Sequence, residues 1–123
     1  MGQAKDNLSN IVEKMNKNPK AQSVFVTNIA GKDVNWETSI QFNLDKDDPF
    51  FLEIKNRETN LSNGIKSDAI IVMSGDPEAI MRICEGKGDF THAISREQIT
   101  VEKGKVMDVI RLTRAITIVL KTK

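Results

Sequence analysis

The segment from Asp68 to Leu112 carries one unbroken order of predicted elements: strand, helix, short helix, strand, helix. This order constrains the fold more than any single residue does. The apolar run Asp68–Ser74 is typical of a strand buried on both faces. Asp76 can cap a following helix, and Pro77 suits its first turn because the missing N–H would be unpaired there anyway. We therefore predict a helix from about Pro77 to Glu85.

Three further elements complete this segment. Asp89 can cap a short helix from Phe90 to Ser95, and the alternation from Gln98 to Glu102 predicts a strand. After Gly104 we predict a final helix, and its apolar stripe consists of Val106, Val109, Ile110 and Thr113. The stripe broadens into the almost wholly apolar run Ala115–Leu120. A helix that is apolar nearly all round needs cover from a core, a partner or a lipid.

The first half of the chain predicts one helix and three strands. The helix ends before Asn18-Pro19 and has an apolar face made of Leu8, Ile11, Val12 and Met15. Ser23–Ile29 is predicted as a strand, Trp36–Leu44 as an alternating strand with one wet face, and Phe50–Lys55 as a third strand. Asn60–Ser67 is predicted as a polar connection. Together these elements predict one α+β domain over residues 1–123, with a five-stranded, largely antiparallel sheet and helices covering one face.

The second half resembles the sterol carrier protein 2 family of small lipid-transfer domains. In that family a Thr-Gly-Lys turn closes one helix, an Asn-Pro pair opens a short helix carrying Ala-Phe, and a Gly-Lys-Leu-x-Ile strand follows. Glu85-Gly86-Lys87 matches the turn, Asp89 falls at the Asn, and Ala93-Ile94 falls at the Ala-Phe. Ile99-Thr100-Val101 falls at the strand, and Gly104 matches the Gly before the last helix once one residue is inserted.

The resemblance implies an apolar tunnel between the sheet and the helices, which would hold a lipid. The implied lining residues are Trp36, Ile40, Phe42, Ile83, Phe90, Ile94, Met107 and Ile110. Three positions depart from the family pattern. Phe90 stands at the Pro, Glu97 stands at the Gly before the strand, and Met107-Asp108 replaces a small residue and a Leu. The last change alters the helix that would shape the ligand space.

The sequence contains few candidates for a catalytic or metal-binding site. Cys84 and His92 are the only Cys and His of the chain. Cys84 shares the apolar stripe of its helix, which favours a packing role, and no third group is visible to orient a Cys–His pair. The acidic loop Asp45–Pro49 lacks the central Gly and terminal Glu of a calcium loop. We therefore expect no catalytic residue, no metal and no cofactor.

Composition limits the partners and the compartment. The formal charge is +1, with acidic and basic residues interspersed, which argues against a nucleic-acid partner. A single Cys excludes an internal disulfide and suits a reducing compartment. Neither a signal-like segment nor an apolar run long enough to span a bilayer is visible. We expect a soluble cytoplasmic protein with at most transient membrane contact.

Two functions follow from these expectations and remain open. The first is non-catalytic binding and transfer of a sterol, fatty acid or fatty acyl-CoA, since burial of an acyl chain yields about 0.8 kcal/mol per methylene without precise polar partners. The second is a dimerisation or regulatory module that has the same fold and a collapsed cavity. In that module the apolar run Ala115–Leu120 would cover a partner, for example a second copy of the chain.

Overall fold

The computed structural model describes residues 3–121, which form five helices and seven strands. The helices are α1 (Gln3–Asn16), α2 (Pro19–Ser23), α3 (Pro77–Cys84), α4 (Phe90–Ser95) and α5 (Val106–Lys121). The strands are β1 (Val26–Ile29), β2 (Lys32–Asn35), β3 (Thr38–Leu44), β4 (Phe50–Lys55), β5 (Glu58–Asn63), β6 (Ile71–Gly75) and β7 (Ile99–Lys103). No helix among the described residues is both long enough and apolar enough to cross a bilayer.

Five strands form one mixed sheet in the order β5-β4-β3-β6-β7, and β1 and β2 form a separate antiparallel hairpin. Within the large sheet only β3 and β6 run parallel, and the other three pairings are antiparallel. The predicted α+β class and the largely antiparallel five-stranded sheet are therefore confirmed. The hairpin is an addition that the sequence pattern did not indicate.

One face of the sheet carries the apolar residues, and the helices pack on it. Ile40 pairs with Leu52 on one side and with Ile71 on the other, while Phe42 pairs with Phe50 and Met73. These residues belong to one buried cluster with apolar side chains of α1, α3, α4 and α5. The strict alternation of β3 thus places the core on the helical side of the sheet.

The opposite face is crossed by the connection from β5 to β6. Its residues 64–70 are held to β3 by two buried polar side chains, Ser39 and Gln41. Ser39 Oγ accepts a 3.0 Å hydrogen bond from the Ile70 amide. Gln41 Oε1 accepts a 2.7 Å bond from the Lys66 amide, and its Nε2 donates to the Gly64 carbonyl at 3.2 Å. The connection therefore covers part of a face that would otherwise be wet.

The elements with strong local signals begin and end close to their predicted positions. Asp76 accepts from the Glu78 amide at 2.9 Å, and Asp89 accepts from the His92 amide at 2.8 Å. Both are the predicted helix caps. Gly86, which follows α3, has φ +79°, the left-handed conformation that commonly ends a helix.

The predicted stripe of α5 is wrong at two positions. Val106 is 42% exposed and Ile110 is only half-buried, because α2 and β1 rather than the sheet lie beside the first turns of α5. The residues that α5 buries are Val109, Leu112, Thr113, Ala115, Ile116 and Val119. The predicted strand Ser23–Ile29 is also wrong in its first half, where α2 ends and a turn follows. Trp36 precedes β3 instead of starting it.

Candidate functional site

The proposed lining residues of the sheet and of α3 and α4 lie in a filled core. Ile40, Phe42 and Phe90 have no exposed surface, and Ile83 is 2% exposed. The Phe42 ring stacks on Phe50 at a centroid distance of 4.9 Å and lies 6.4 Å from Phe90. Ile40, Phe42 and Phe90 are therefore covered by protein atoms on all sides. Ile94 packs on the edge of the same cluster.

Two of the other predicted lining residues, Met107 and Ile110, lie at an open groove. This groove separates the first half of α5 from α2 and β1, has a volume of about 450 Å³, and is called the α5 groove below. Its lining residues are Ser23, Val24, Val26, Met107, Asp108, Ile110, Arg111 and Arg114. Met107 is 75% exposed, so its side chain stands at the mouth. The structure thus brings Met107 and Ile110 together and separates them from Ile40, Phe42 and Phe90.

Arg111 forms the back of the α5 groove and links α5 to β1. Its Nε donates to the Val24 carbonyl at 2.6 Å, and Nη2 donates to Thr27 Oγ1 at 2.8 Å. The guanidinium also lies 4.6 Å from the centre of the Trp36 ring, a cation–π distance. Trp36 in turn packs 5.9 Å from the Phe25 ring, and its amide donates to the Phe25 carbonyl at 2.7 Å. The only tryptophan of the chain therefore lies directly behind the groove.

The charge of the groove comes from three side chains of α5. Partial burial lowers the pKa of Arg111; the nearby Arg114 acts in the same direction and Asp108 opposes it. Residues 108, 111 and 114 are spaced three apart, so they follow one side of the helix. Neither arginine is among the lining residues that the family resemblance implies. The available signal was their position four residues after Met107 and Ile110, which places them on the same helical face.

Two further grooves lie on the surface that the structure describes. One, of about 350 Å³, shares Ser23 and Val26 with the α5 groove and extends to Asn28, Asp33 and Arg57. The other, of about 270 Å³, lies between α1 and the end of α5, with Cys84 and Leu120 in its wall. Neither combines an apolar wall with two arginines as the α5 groove does.

The Cys84 and His92 side chains do not form a nucleophile–base pair. Burial raises the pKa of the Cys84 thiol to about 12, and the negative charge of Glu85 adds to the shift. His92 is exposed, and its Nδ1 lies 3.2 Å from Asp89 Oδ1. Within residues 3–121 no three His, Cys, Asp or Glu side chains are arranged to hold a metal ion.

Comparison with known proteins identifies the fold of this chain but no relative by sequence. No family model and no curated protein matches the sequence. Among solved structures, sterol carrier protein-2 like-3 from Aedes aegypti has a TM-score of 0.68 at 11% identity, covering 94% of this chain and 97% of that one. Sterol carrier protein 2 from Yarrowia lipolytica in its apo form has a TM-score of 0.62 at 20% identity, covering 94% and 91%. A palmitated sterol carrier protein 2-like protein from Aedes aegypti has a TM-score of 0.57 at 14% identity, covering 88% and 92%.

The resemblance found in the sequence is thus confirmed at the level of fold. The chain has the sterol carrier protein 2 fold over nearly its whole length.

Proposed function

We propose that this protein is a non-catalytic lipid carrier of the cytoplasm and that it binds a single acyl chain in the α5 groove. The observation that carries the proposal is the groove itself, whose volume of about 450 Å³ falls within the usual range of ligand pockets, about 300–1,000 Å³. Val24, Val26, Met107 and Ile110 supply its apolar wall. An acyl chain laid on this wall gains about 0.8 kcal/mol for each methylene removed from water.

Two further facts support an acyl ligand. Met107 is largely exposed at the mouth, and a flexible thioether side chain adapts to ligands of different shape. A protein of the same fold has been solved in palmitated form. A fatty acid or fatty acyl thioester fits a narrow groove better than a rigid sterol, because a flexible chain can follow its floor.

A second function, a dimerisation or regulatory module, is favoured by the filled core. Phe42, Phe50 and Phe90 pack against one another in the buried cluster, with ring centroids 4.9 Å and 6.4 Å apart, which supports a core without a tunnel. Of the run Ala115–Leu120, which was predicted to cover a partner, Ala115, Ile116 and Val119 are instead buried within this chain. On this alternative a second copy of the chain covers the apolar side chains exposed on α5, which are Val106, Met107 and Leu120.

Native mass spectrometry of the purified protein, followed by organic extraction, separates the two functions. The carrier should release a co-purifying lipid, and after delipidation palmitate should change the emission of Trp36 saturably, because Trp36 lies behind Arg111 at the groove. A dimer that releases no lipid, with Trp36 emission indifferent to palmitate, would establish the alternative.

Substitution of Ile110 by tryptophan tests the location. The larger ring should fill part of the groove and weaken palmitate binding at least tenfold by calorimetry. The fold should survive because Ile110 lies outside the buried side of α5. Ile65→Trp is the matched control, since Ile65 is 73% exposed on the connection across the other face of the sheet. Equal palmitate affinities for the two variants would exclude the α5 groove.

A further inference from the structure

The α5 groove combines an apolar wall with more positive than negative charge. Arg111 and Arg114 bring two guanidinium groups to it, and Asp108 brings one carboxylate. No ion pair joins Asp108 to either arginine among residues 3–121. Asp108 offsets part of the charge of Arg111, and the lining residues of the groove still carry one more positive than negative charge.

The two guanidinium groups keep N–H donors that no described protein group uses. A guanidinium has five N–H donors, and Arg111 uses one on Nε and one on Nη2 within the protein. Three N–H groups of Arg111 therefore remain. Arg114 is exposed and makes no hydrogen bond or ion pair within residues 3–121. Both side chains line the groove, so these donors are available to a molecule bound in it.

Arg111 is also fixed in place before any ligand arrives. The Val24 carbonyl, Thr27 Oγ1 and the Trp36 ring hold its guanidinium from different directions. A preorganised cation loses little side-chain entropy when it binds an anion, whereas a free surface arginine loses more. Arg114 contributes the second positive charge of the groove.

We infer that Arg111 and Arg114 bind the carboxylate of a single-chain amphiphile, a free fatty acid, whose chain lies on Val24, Val26, Met107 and Ile110. This inference rests on the proposed lipid-carrier function and adds the chemistry of the headgroup. A planar carboxylate matches the parallel N–H donors of a guanidinium. Arg111 and Arg114 line the same groove as the apolar residues, so the groove favours an anion that carries an acyl chain over a small free anion.

The test compares palmitate with 1-hexadecanol, which has the same chain length and a neutral head, on the delipidated full chain. Wild-type protein should bind palmitate about tenfold more tightly than the alcohol, a difference typical of one charge-assisted contact. Arg114→Gln should remove most of that difference and leave hexadecanol affinity unchanged. Arg96→Gln is the matched control, because Arg96 is an exposed arginine at the end of α4. Acetate alone should leave Trp36 emission unchanged at concentrations where palmitate saturates.

Each outcome decides the inference. Equal affinity of the wild type for both ligands would overturn the headgroup site and leave lipid binding intact, whereas failure to bind either ligand would overturn the proposed function as well. A loss of affinity for both ligands in Arg114→Gln would show a structural effect and reject the carboxylate contact. Acetate binding as tight as that of palmitate would reject the amphiphile. Because Arg111 also links α5 to β1, Arg111→Lys is the second variant: it keeps the charge, loses the fork, and should reduce palmitate preference without abolishing it.

Discussion

Gln41 offers the sharpest test of how the sheet is assembled. It is 2% exposed on the face opposite the core, where residues 64–70 cross from β5 to β6. Its Oε1 accepts from the Lys66 amide at 2.7 Å. Its Nε2 lies 3.2 Å from each of three acceptors, the carbonyls of Phe50 and Gly64 and the side-chain oxygen of Asn43.

We expect Gln41→Leu to destabilise the fold by about 2–4 kcal/mol, because two or three hydrogen bonds of about 1 kcal/mol each are lost and buried partners stay unpaired. With a urea m-value of about 2 kcal/mol/M, the middle of the usual range, the unfolding midpoint should fall by roughly 1–2 M. Hydrogen exchange should also show that the amide of residue 66 loses its protection. Ser39→Ala removes a single 3.0 Å bond to the same connection and should cost about 1 kcal/mol.

Gln41→Glu separates the acceptor from the donor. The introduced carboxyl can still accept from the Lys66 amide, but when ionised it repels the carbonyl oxygens of Phe50 and Gly64. Burial beside these oxygens should raise its folded pKa above the usual value, about 4.3. A raised folded pKa gives stability that is present at low pH and lost as pH rises, so this variant should be closest to the wild type near pH 4 and weakest at neutral pH. A Gln41→Leu variant within about 0.5 kcal/mol of the wild type, with unchanged exchange at residue 66, would refute this account of the connection.

Three other predictions concern single side chains. Because the pKa of Cys84 is raised from 9.0 to about 12, alkylation of the native protein near pH 8 should be roughly a thousandfold slower than alkylation in urea, and fast labelling of the native thiol would contradict this. The protonated thiol should favour the fold below about pH 9, and this contribution should be lost between about pH 9 and 12. Gly75 has φ +143°, and a Cβ there would overlap the Gln98 carbonyl. Gly75→Ala should therefore lower the free energy of unfolding by more than about 2 kcal/mol in urea melts. Gly88 has open space around it, so the control Gly88→Ala should change that free energy by less than about 0.5 kcal/mol. Arg111→Met should cost about 1–3 kcal/mol through its two hydrogen bonds and its stacking on tryptophan, and an unchanged thermal midpoint would contradict that role.

The sequence predicts best those elements whose signals are local. For α4, the cap at Asp89 fixes the start, and the observed helix Phe90–Ser95 coincides with the predicted one. For α3, Asp76 and Pro77 fix the start in the same way. Caps and apolar spacing act within a few residues, so they are visible without knowledge of distant partners.

Strand β5 was missed because long-range partners determine it. Its residues Glu58–Asn63 are mostly polar, and they were predicted in part as a connection. The strand forms because β4 pairs along its whole length and because Asn16 exchanges two 2.8 Å hydrogen bonds with the Thr59 backbone. The turn before it, Asn56-Arg57, has φ +53° and +68°, a hairpin geometry for which an Asn-Gly pair is the usual sequence signal.

The sequence predicts only part of the candidate site, for a similar reason. The resemblance implies Met107 and Ile110 of the last helix as lining residues, and both line the α5 groove. The other wall comes from Val24 and Val26, which sequence periodicity assigned to a strand of the main sheet. They belong instead to the turn after α2 and to a separate hairpin. A groove between elements that are distant in sequence depends on this packing, which the local pattern does not contain.

The energetics of opening the core favour the groove over a tunnel as the place for an acyl chain. A chain could enter between sheet and helices only if α5 exposed part of its buried side, for example Val109, Leu112 and Ile116. Exposing three such side chains costs about 5–9 kcal/mol at about 1.5–3 kcal/mol each. An acyl chain in the opened core would cover these side chains again, so this cost falls on the open state without ligand and keeps its population low. The α5 groove is already open, so a ligand bound there keeps its full burial energy and leaves Phe42, Phe50 and Phe90 packed.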